Sequence, residues 1–337
     1  MPRLDPDVST LINRARAGDI RSRARLFSLV EDGGNPAATA LATLAPWGGH
    51  ARIIGITGPP GAGKSTLVGR LAREIRSRGQ TVAILAVDPA SPITGGAVLG
   101  DRIRMQDLHG DPGAYVRSIS TRGALGGLAR AVDGMVLVAE ALGYDVVLVE
   151  TVGAGQDEAA IIGVAPTVVV VEVPHLGDDV QSIKAGILEI ADVFVVNKAD
   201  HDGADQAAAM LRAMLSLAPP ADGWRPPVLK TSALTGDGVP ALLESIHQHQ
   251  CFLEQSGRLA HWRNERAERQ IFEAAQDNFL ARLRSSVSAA QLQSLITDVA
   301  SHRLSAEQAA EQLLDALDQQ PMPRYNPTRQ EDRFSGS

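Results

Sequence analysis

Gly58-Pro59-Pro60-Gly61-Ala62-Gly63-Lys64-Ser65 has the form G-x-x-x-x-G-K-[ST]. It follows the apolar, β-branched run Ile53-Ile54-Gly55-Ile56-Thr57 and opens a helical pattern from Thr66 to Arg78. Strand, glycine-rich loop, helix is the context in which this motif cradles phosphate. Gly58, Gly61 and Gly63 let the backbone wrap closely, so that loop N–H groups and the helix N-terminus converge on phosphate oxygens. Lys64 then reaches the β- and γ-phosphates, and the Ser65 hydroxyl ligates Mg²⁺. The candidate phosphate site is therefore Gly58, Pro59, Pro60, Gly61, Ala62, Gly63, Lys64, Ser65 and Thr66.

On both sides of this loop, short β-branched runs alternate with amphipathic stretches. The runs are Thr81 to Val87, Val146 to Val149, Val168 to Val173, Val193 to Val196 and Val228 to Lys230. That alternation predicts an α/β fold, a mostly parallel sheet wrapped by helices on both faces. Aromatic residues make up only 4% of the chain against 44% hydrophobic residues overall, so the core is built from Val, Leu, Ile and Ala, as buried parallel sheets prefer. Two carboxylates stand where strands end, Asp88 and Glu150, and ligands of open α/β sheets bind at those ends. Both face the phosphates if their strands flank the first. Glu150 takes the place of a Walker-B aspartate, and Asp101, in a glycine-rich loop, is a third candidate for the metal. The expected Mg²⁺ set is Ser65, Asp88, Asp101 and Glu150, with Lys64, Asp88 and Glu150 closest to the chemistry; structural ion pairs are the plainer role for the three acids.

Asn197-Lys198-Ala199-Asp200 follows the strand that ends at Val196. A carboxylate at Asp200 accepts from guanine N1–H and the 2-amino group together, a pair that adenine lacks. Lys198 would cover the base with its stem, and Asn197 would tie this loop to the phosphate loop. Ser232-Ala233-Leu234, after the strand ending at Lys230, would offer a backbone N–H to the guanine oxygen. The three motifs together, each at a strand end, predict GTP and GDP as ligands over ATP.

The flanks read as helical. Residues 1 to about 45 suggest two helices split at Asp32-Gly33-Gly34-Asn35-Pro36. Arg14, Arg16, Arg21, Arg23 and Arg25 lie among Asp5, Asp7 and Asp19, with Leu11, Ile12, Leu26, Phe27 and Leu29 at helical spacing. That describes an amphipathic helix and not an acid-poor transit peptide, so a cytoplasmic location is expected. From Val239 onward everything is helical in pattern, up to a tail rich in Pro, Arg and Asp. The expected layout is an N-terminal helical extension over 1–48, the nucleotide domain over 49–250, a helical arm over 251–320 and a loose tail over 321–337. The arm is either a dimerisation element or a packed cap. With 337 residues the chain has room for one large domain with attachments or two ordinary domains. A net charge of -7 argues against nucleic acid as a partner, and no apolar run of about 18 residues suggests a membrane span. The lone Cys251 excludes a disulfide framework and a cysteine-cluster metal site.

Several strings carry a sharper likeness: Val87-Asp88-Pro89-Ala90-Ser91-Pro92, Thr94-Gly95-Gly96, Leu99-Gly100-Asp101-Arg102-Ile103-Arg104-Met105, Thr121-Arg122-Gly123-Ala124-Leu125-Gly126-Gly127 and Glu150-Thr151-Val152-Gly153-Ala154-Gly155-Gln156. Over roughly residues 50 to 240 the chain resembles the MeaB/ArgK family, within the SIMIBI class of P-loop GTPases. The resemblance implies a G-protein chaperone of an adenosylcobalamin-dependent acyl-CoA mutase, usually a homodimer, that gates cofactor loading and protects or rescues the mutase. Adenosylcobalamin would concern this chain only through that partner. Methylmalonyl-, isobutyryl-, 2-hydroxyisobutyryl- and ethylmalonyl-CoA mutases all remain open as partners. By the same resemblance Gly177-Asp178-Asp179-Val180-Gln181-Ser182-Ile183-Lys184 is a third switch, with Gly177, Asp178, Asp179, Gln181 and Lys184 as its candidate residues. On pattern alone that string is an ordinary amphipathic helix start. Ala90, Ile93 and Ala124 depart from relatives without touching the expected chemistry.

Phosphoryl transfer is mainly positioning and charge neutralisation. No glutamine directly follows Gly153: Ala154 does, and Gln156 comes two positions later. Slow intrinsic hydrolysis completed by a partner is expected, with Arg102, Arg104 or Arg122 as possible cis arginines. A metal-insertion GTPase would need clustered Cys or His ligands, which the eight scattered histidines do not offer. A small-molecule kinase is disfavoured by N-K-x-D. A nucleotide-dependent interaction module without a partner enzyme is the remaining alternative.

Overall fold

The computed structural model describes residues 6–89, 108, 110–121, 127–151, 161–174, 185–217 and 223–318. The chain divides into two compact units, Met1–Arg266 and Ala267–Ser337. The first contains β1 (Arg52–Thr57), β2 (Val82–Pro89), β3 (Ala114–Thr121), β4 (Val146–Thr151), β5 (Thr167–Glu172), β6 (Val193–Val196) and β7 (Val228–Lys230). They form one sheet in the order β3-β2-β4-β1-β5-β6-β7, and every pairing is parallel. The expected α/β architecture is what the chain adopts.

The glycine-rich loop follows β1, which lies between β4 and β5. β4, β1, β5 and β6 are buried residue by residue apart from Arg52, so helices must cover both faces. One face carries Ile53, Leu85, Val147 and Val149 against α1 (Pro6–Arg16), α2 (Ile20–Asp32), α3 (Gly34–Leu44) and α5 (Gly127–Ala141). The opposite face carries Ile54, Ile56, Ile84, Leu148, Val169 and Val195 against α4 (Lys64–Ser77) and α8 (Val239–Gln255). Val170, Phe194 and Val196 pack against α7 (Ala204–Leu217), while α6 (Ala185–Ile190) precedes β6. Side chains alternate between faces along each strand, which is how one apolar run serves two helical layers.

Two elements differ from the expectation. The N-terminal region holds three helices, because the chain also breaks at Ala17-Gly18-Asp19. There Asp19 caps α2, accepting from the Arg21 N–H at 3.2 Å and the Ser22 hydroxyl at 2.6 Å. The missed strand is β3. Its sequence, Ala-Tyr-Val-Arg-Ser-Ile-Ser-Thr, is too polar to read as core, and its position at the sheet edge explains why. Arg117 serves α2 instead of the sheet interior, donating to Ser28 Oγ at 3.0 Å and pairing with Glu31 at 2.5 Å. Tyr115 stacks on Phe27 with ring centroids 4.7 Å apart.

The long helix α9 (Arg258–Ser286) crosses the division between the units, and none of its residues is buried. The second unit continues with α10 (Ala289–Ala300), which starts at a Ser288–Gln291 capping box, and α11 (Ala306–Asp318). Among the described residues no helix is long and apolar enough to cross a membrane.

Candidate functional site

The loop from Gly58 to Gly63 is built from backbone geometry that side chains would spoil. Gly58 has φ +136°, and a Cβ there would lie 2.1 Å from the Val171 carbonyl oxygen on β5. Gly63, at φ +85°, is the left-handed residue before α4, and a Cβ there would lie 2.5 Å from Asn197 Nδ2. Glycine at both positions lets the loop lie flat on β5 and on the Asn197 side chain.

Lys64 and Ser65 occupy the first turn of α4, where the helix N-terminus favours negative charge. Lys64 is buried, and its ammonium donates to the carbonyls of Gly58 at 2.7 Å and Pro59 at 2.9 Å. The lysine is thus folded back onto the loop it serves. The Ser65 hydroxyl donates to Glu150 Oε1 at 2.6 Å, a buried contact between α4 and the end of β4. Thr66 is half-buried in the same turn. Beside them the Thr151 hydroxyl donates to Thr57 Oγ1 at 2.9 Å, joining the ends of β4 and β1.

The two strand-end acids are not equivalent. Glu150 is in register with Ile56 of β1, since β4 flanks β1. Asp88 ends β2, which is separated from β1 by β4 and pairs at that level with Ser120 of β3. The condition that both acids come from strands flanking the first therefore holds for Glu150 alone. The Asp88 side chain, and Asp101, Arg102, Arg104, Arg122, Ala154, Gln156 and the segment Gly177 to Lys184, lie outside the described residues.

Asn197 joins the two halves of the site. It is 1% exposed, and its Nδ2 donates to the Ala62 carbonyl at 2.8 Å. Its Oδ1 accepts from the Thr231 hydroxyl and from the Ala233 N–H, both at 3.1 Å. One amide thereby ties the phosphate loop to the Ser232-Ala233-Leu234 loop. Asn197→Ala would strand buried backbone groups at Ala62 and Ala233, and is expected to cost about 2–4 kcal/mol of stability. Thermal unfolding of the nucleotide-free protein reads this directly; an unchanged melting temperature would remove the bridging role.

Lys198 is exposed and adopts a left-handed backbone, φ 58°. Asp200 is 39% exposed. A hydrogen bond from the Ser232 side chain, then one from its own backbone N–H, holds its carboxyl below the usual carboxylate range, with help from His201 and Lys198. Asp200 is consequently an anion at neutral pH. Ser232 and Ala233 are buried while Leu234 is 69% exposed. The loop turns back on itself through Gly236 N–H to Ser232 O at 2.8 Å and Ser232 N–H to Asp237 O at 3.0 Å. Sequence reasoning missed Arg70, an α4 residue whose Nε donates to the Ala233 carbonyl at 3.0 Å and whose Nη2 donates to the Leu234 carbonyl. No motif marks it, because its partners are backbone atoms distant in sequence.

Residues 23–288 match the family described as methylmalonyl Co-A mutase-associated GTPase MeaB. A protein of Pyrococcus abyssi is 46% identical over 315 residues, covering 92% of this chain and 97% of its own. The mouse methylmalonic aciduria type A homolog, mitochondrial, is 36% identical over 269 residues, covering 78% of this chain and 65% of that protein. Among solved structures, one described as an LAO/AO transport system kinase superposes with a TM-score of 0.68 at 27% identity, covering 93% of this chain and 98% of the other. A match to this family over most of the chain, together with a relative 46% identical over nearly its whole length, makes the protein a GTPase and a member of the MeaB family.

Proposed function

We propose that this GTPase is a chaperone of an adenosylcobalamin-dependent acyl-CoA mutase, coupling GTP hydrolysis to GDP and phosphate with loading of the mutase cofactor and protection or rescue of the mutase. The observation that carries the reading is the match of residues 23–288 to a family described by its association with methylmalonyl-CoA mutase. The similarity to the mouse methylmalonic aciduria homolog supports it. Methylmalonyl-CoA mutase is the first partner to test, with isobutyryl- and 2-hydroxyisobutyryl-CoA mutases next.

In this reading the Gly58–Gly63 amides and the α4 N-terminus hold the phosphates. Lys64 leaves the Gly58 and Pro59 carbonyls to meet the β- and γ-phosphates, a short move that exchanges two carbonyl acceptors for anionic oxygens. Asp200 accepts from guanine N1–H and the 2-amino group, and Lys198 covers the base. Ser65 and Glu150 fit Mg²⁺, because they bring two oxygens within 2.6 Å of each other at the phosphate loop and a hard cation takes oxygen donors. Asp88 and Asp101 complete the proposed set. The metal would supply neutralisation of charge on the phosphate oxygens. Water attacks the γ-phosphorus and the bond to the bridging oxygen breaks; the mutase completes the arrangement that orients this water.

The proposed domain roles are an N-terminal helical extension over 1–48, a nucleotide domain over 49–250, and a helical arm over 251–320 that pairs with a second copy. The exposed Ile271, Phe272, Phe279 and Ile296 suit an apolar interface with such a copy.

The test is phosphate release with and without each mutase, holding cobalamin and Mg²⁺ constant. Stimulation of roughly 5–150-fold corresponds to an ordinary coupling between two sites. Lys184→Ala, in the proposed switch, is expected to keep GTP affinity and lose most of the stimulation. No stimulation of the parent by any of these mutases would favour an interaction module without a partner enzyme.

A further inference from the structure

The geometry points to Arg70 as a positioning residue for base selectivity: it holds the Ala233–Leu234 backbone so that the Leu234 N–H is presented to the oxygen at position 6 of guanine. This rests on the reading of Asp200 and the 232–234 loop as the base site.

Arg70 lies on α4, in the second turn after Lys64, so its stem is anchored in the helix that opens at the phosphates. Its guanidinium spans two successive carbonyls, Nε to Ala233 O at 3.0 Å and Nη2 to Leu234 O. A planar fork with donors on adjacent nitrogens suits such a pair, and a lysine ammonium lacks that shape. In a trans peptide unit the C=O and the following N–H point in opposite directions. No cis peptide occurs among the described residues. Drawing the Ala233 carbonyl toward α4 therefore turns the Leu234 N–H away from it.

The neighbouring donors narrow the choice. The Ala233 N–H is taken by Asn197 Oδ1 at 3.1 Å, and the Gly236 N–H by Ser232 O at 2.8 Å. Among the described residues the Leu234 N–H has no protein acceptor. Leu234 is itself 69% exposed. A fixed N–H there donates to the oxygen of a 6-oxo purine and meets the 6-amino group of adenine donor to donor. A loop free to rotate its peptide would lose that discrimination. Asp200 reads the other edge of the base, and its partner is the Ser232 side chain, whereas Arg70 holds the Ala233 and Leu234 carbonyls.

The two edges can be measured separately by calorimetry with three diphosphates. Inosine diphosphate lacks the 2-amino group and reports Asp200, whereas 6-thioguanosine diphosphate weakens the acceptor at position 6 and reports the loop. For Arg70→Met, GDP affinity is expected to fall about 3- to 10-fold, the loss of one modest hydrogen bond. The preference for GDP over the 6-thio analogue should shrink toward unity while the preference over inosine diphosphate stays at the parent value. Arg70→Lys should shrink the same preference to an intermediate value, and it supplies the measurement if the methionine variant does not fold. Parent-like preferences in the folded variants would overturn the proposal. So would equal loss of both preferences, which would mark Arg70 as a general support of the loop. A parent that separates GDP from inosine diphosphate but not from the 6-thio analogue would overturn the Arg70 role alone. A parent indifferent to inosine diphosphate would overturn the base-site reading beneath it.

Discussion

Lys64→Ala is expected to lower GTP turnover by at least about 10²- to 10³-fold, the scale on which loss of one preorganised charge-stabilising donor is felt. Lys64 is the cationic residue of the glycine-rich motif, buried and held 2.7 Å and 2.9 Å from loop carbonyls. Those contacts also define the cost to the nucleotide-free protein. Removing the ammonium leaves the buried Gly58 carbonyl and the part-buried Pro59 carbonyl without their donor, a loss of about 1–3 kcal/mol and a melting shift of several degrees. Phosphate release and thermal unfolding on the same preparation separate the two effects. Turnover within tenfold of the parent would remove Lys64 from the chemistry. A collapse of the nucleotide-free melt would show that its contacts with the loop carry more of the fold than two hydrogen bonds.

Asp200→Asn is expected to weaken GTP and GDP by about 30- to 1,000-fold, because an anionic acceptor of two N–H groups becomes an amide with a donor where none is wanted. Xanthine nucleotides, which carry an oxygen at position 2, should gain on guanine nucleotides in this variant. The pH dependence follows from the direction of the Asp200 shift. Its carboxyl is held below the ordinary range by the Ser232 hydrogen bond first and its own backbone N–H second. A depressed value keeps the anion as pH falls, so the contribution to binding is fully present above the ordinary carboxylate range and is lost only below it. The affinity ratio of parent to variant should therefore stay constant from neutral pH down to about pH 5. A ratio that collapses between those values, or equal affinities at pH 7, would take the base contact away from Asp200.

The sequence by itself determined the parallel α/β fold, because a phosphate loop between a β-branched run and a helix allows little else. Five of the six legible strands, β1, β2 over Val82 to Val87, β4, β5 and β6, are almost wholly buried and so nearly continuously apolar, whereas β7 at the other edge was legible from Val228-Leu229 and its place in the alternation. β3 escaped because an edge strand may be polar, and its arginine and tyrosine answer to α2, a partner invisible to local pattern. The positions of the site motifs were equally local, since glycine geometry, a lysine and a short N-K-x-D string are written in consecutive residues. Only the tertiary structure decided which strands are neighbours. It put Glu150 beside Ser65 on a strand flanking β1 and left Asp88 one strand further out, although both acids end similar apolar runs. It also made Asn197 a three-way bridge and gave Arg70 its two carbonyls. These contacts join segments separated by 34 to 164 residues, mostly through backbone atoms. A backbone acceptor is present at every position, so no residue pattern announces which one a distant side chain will find.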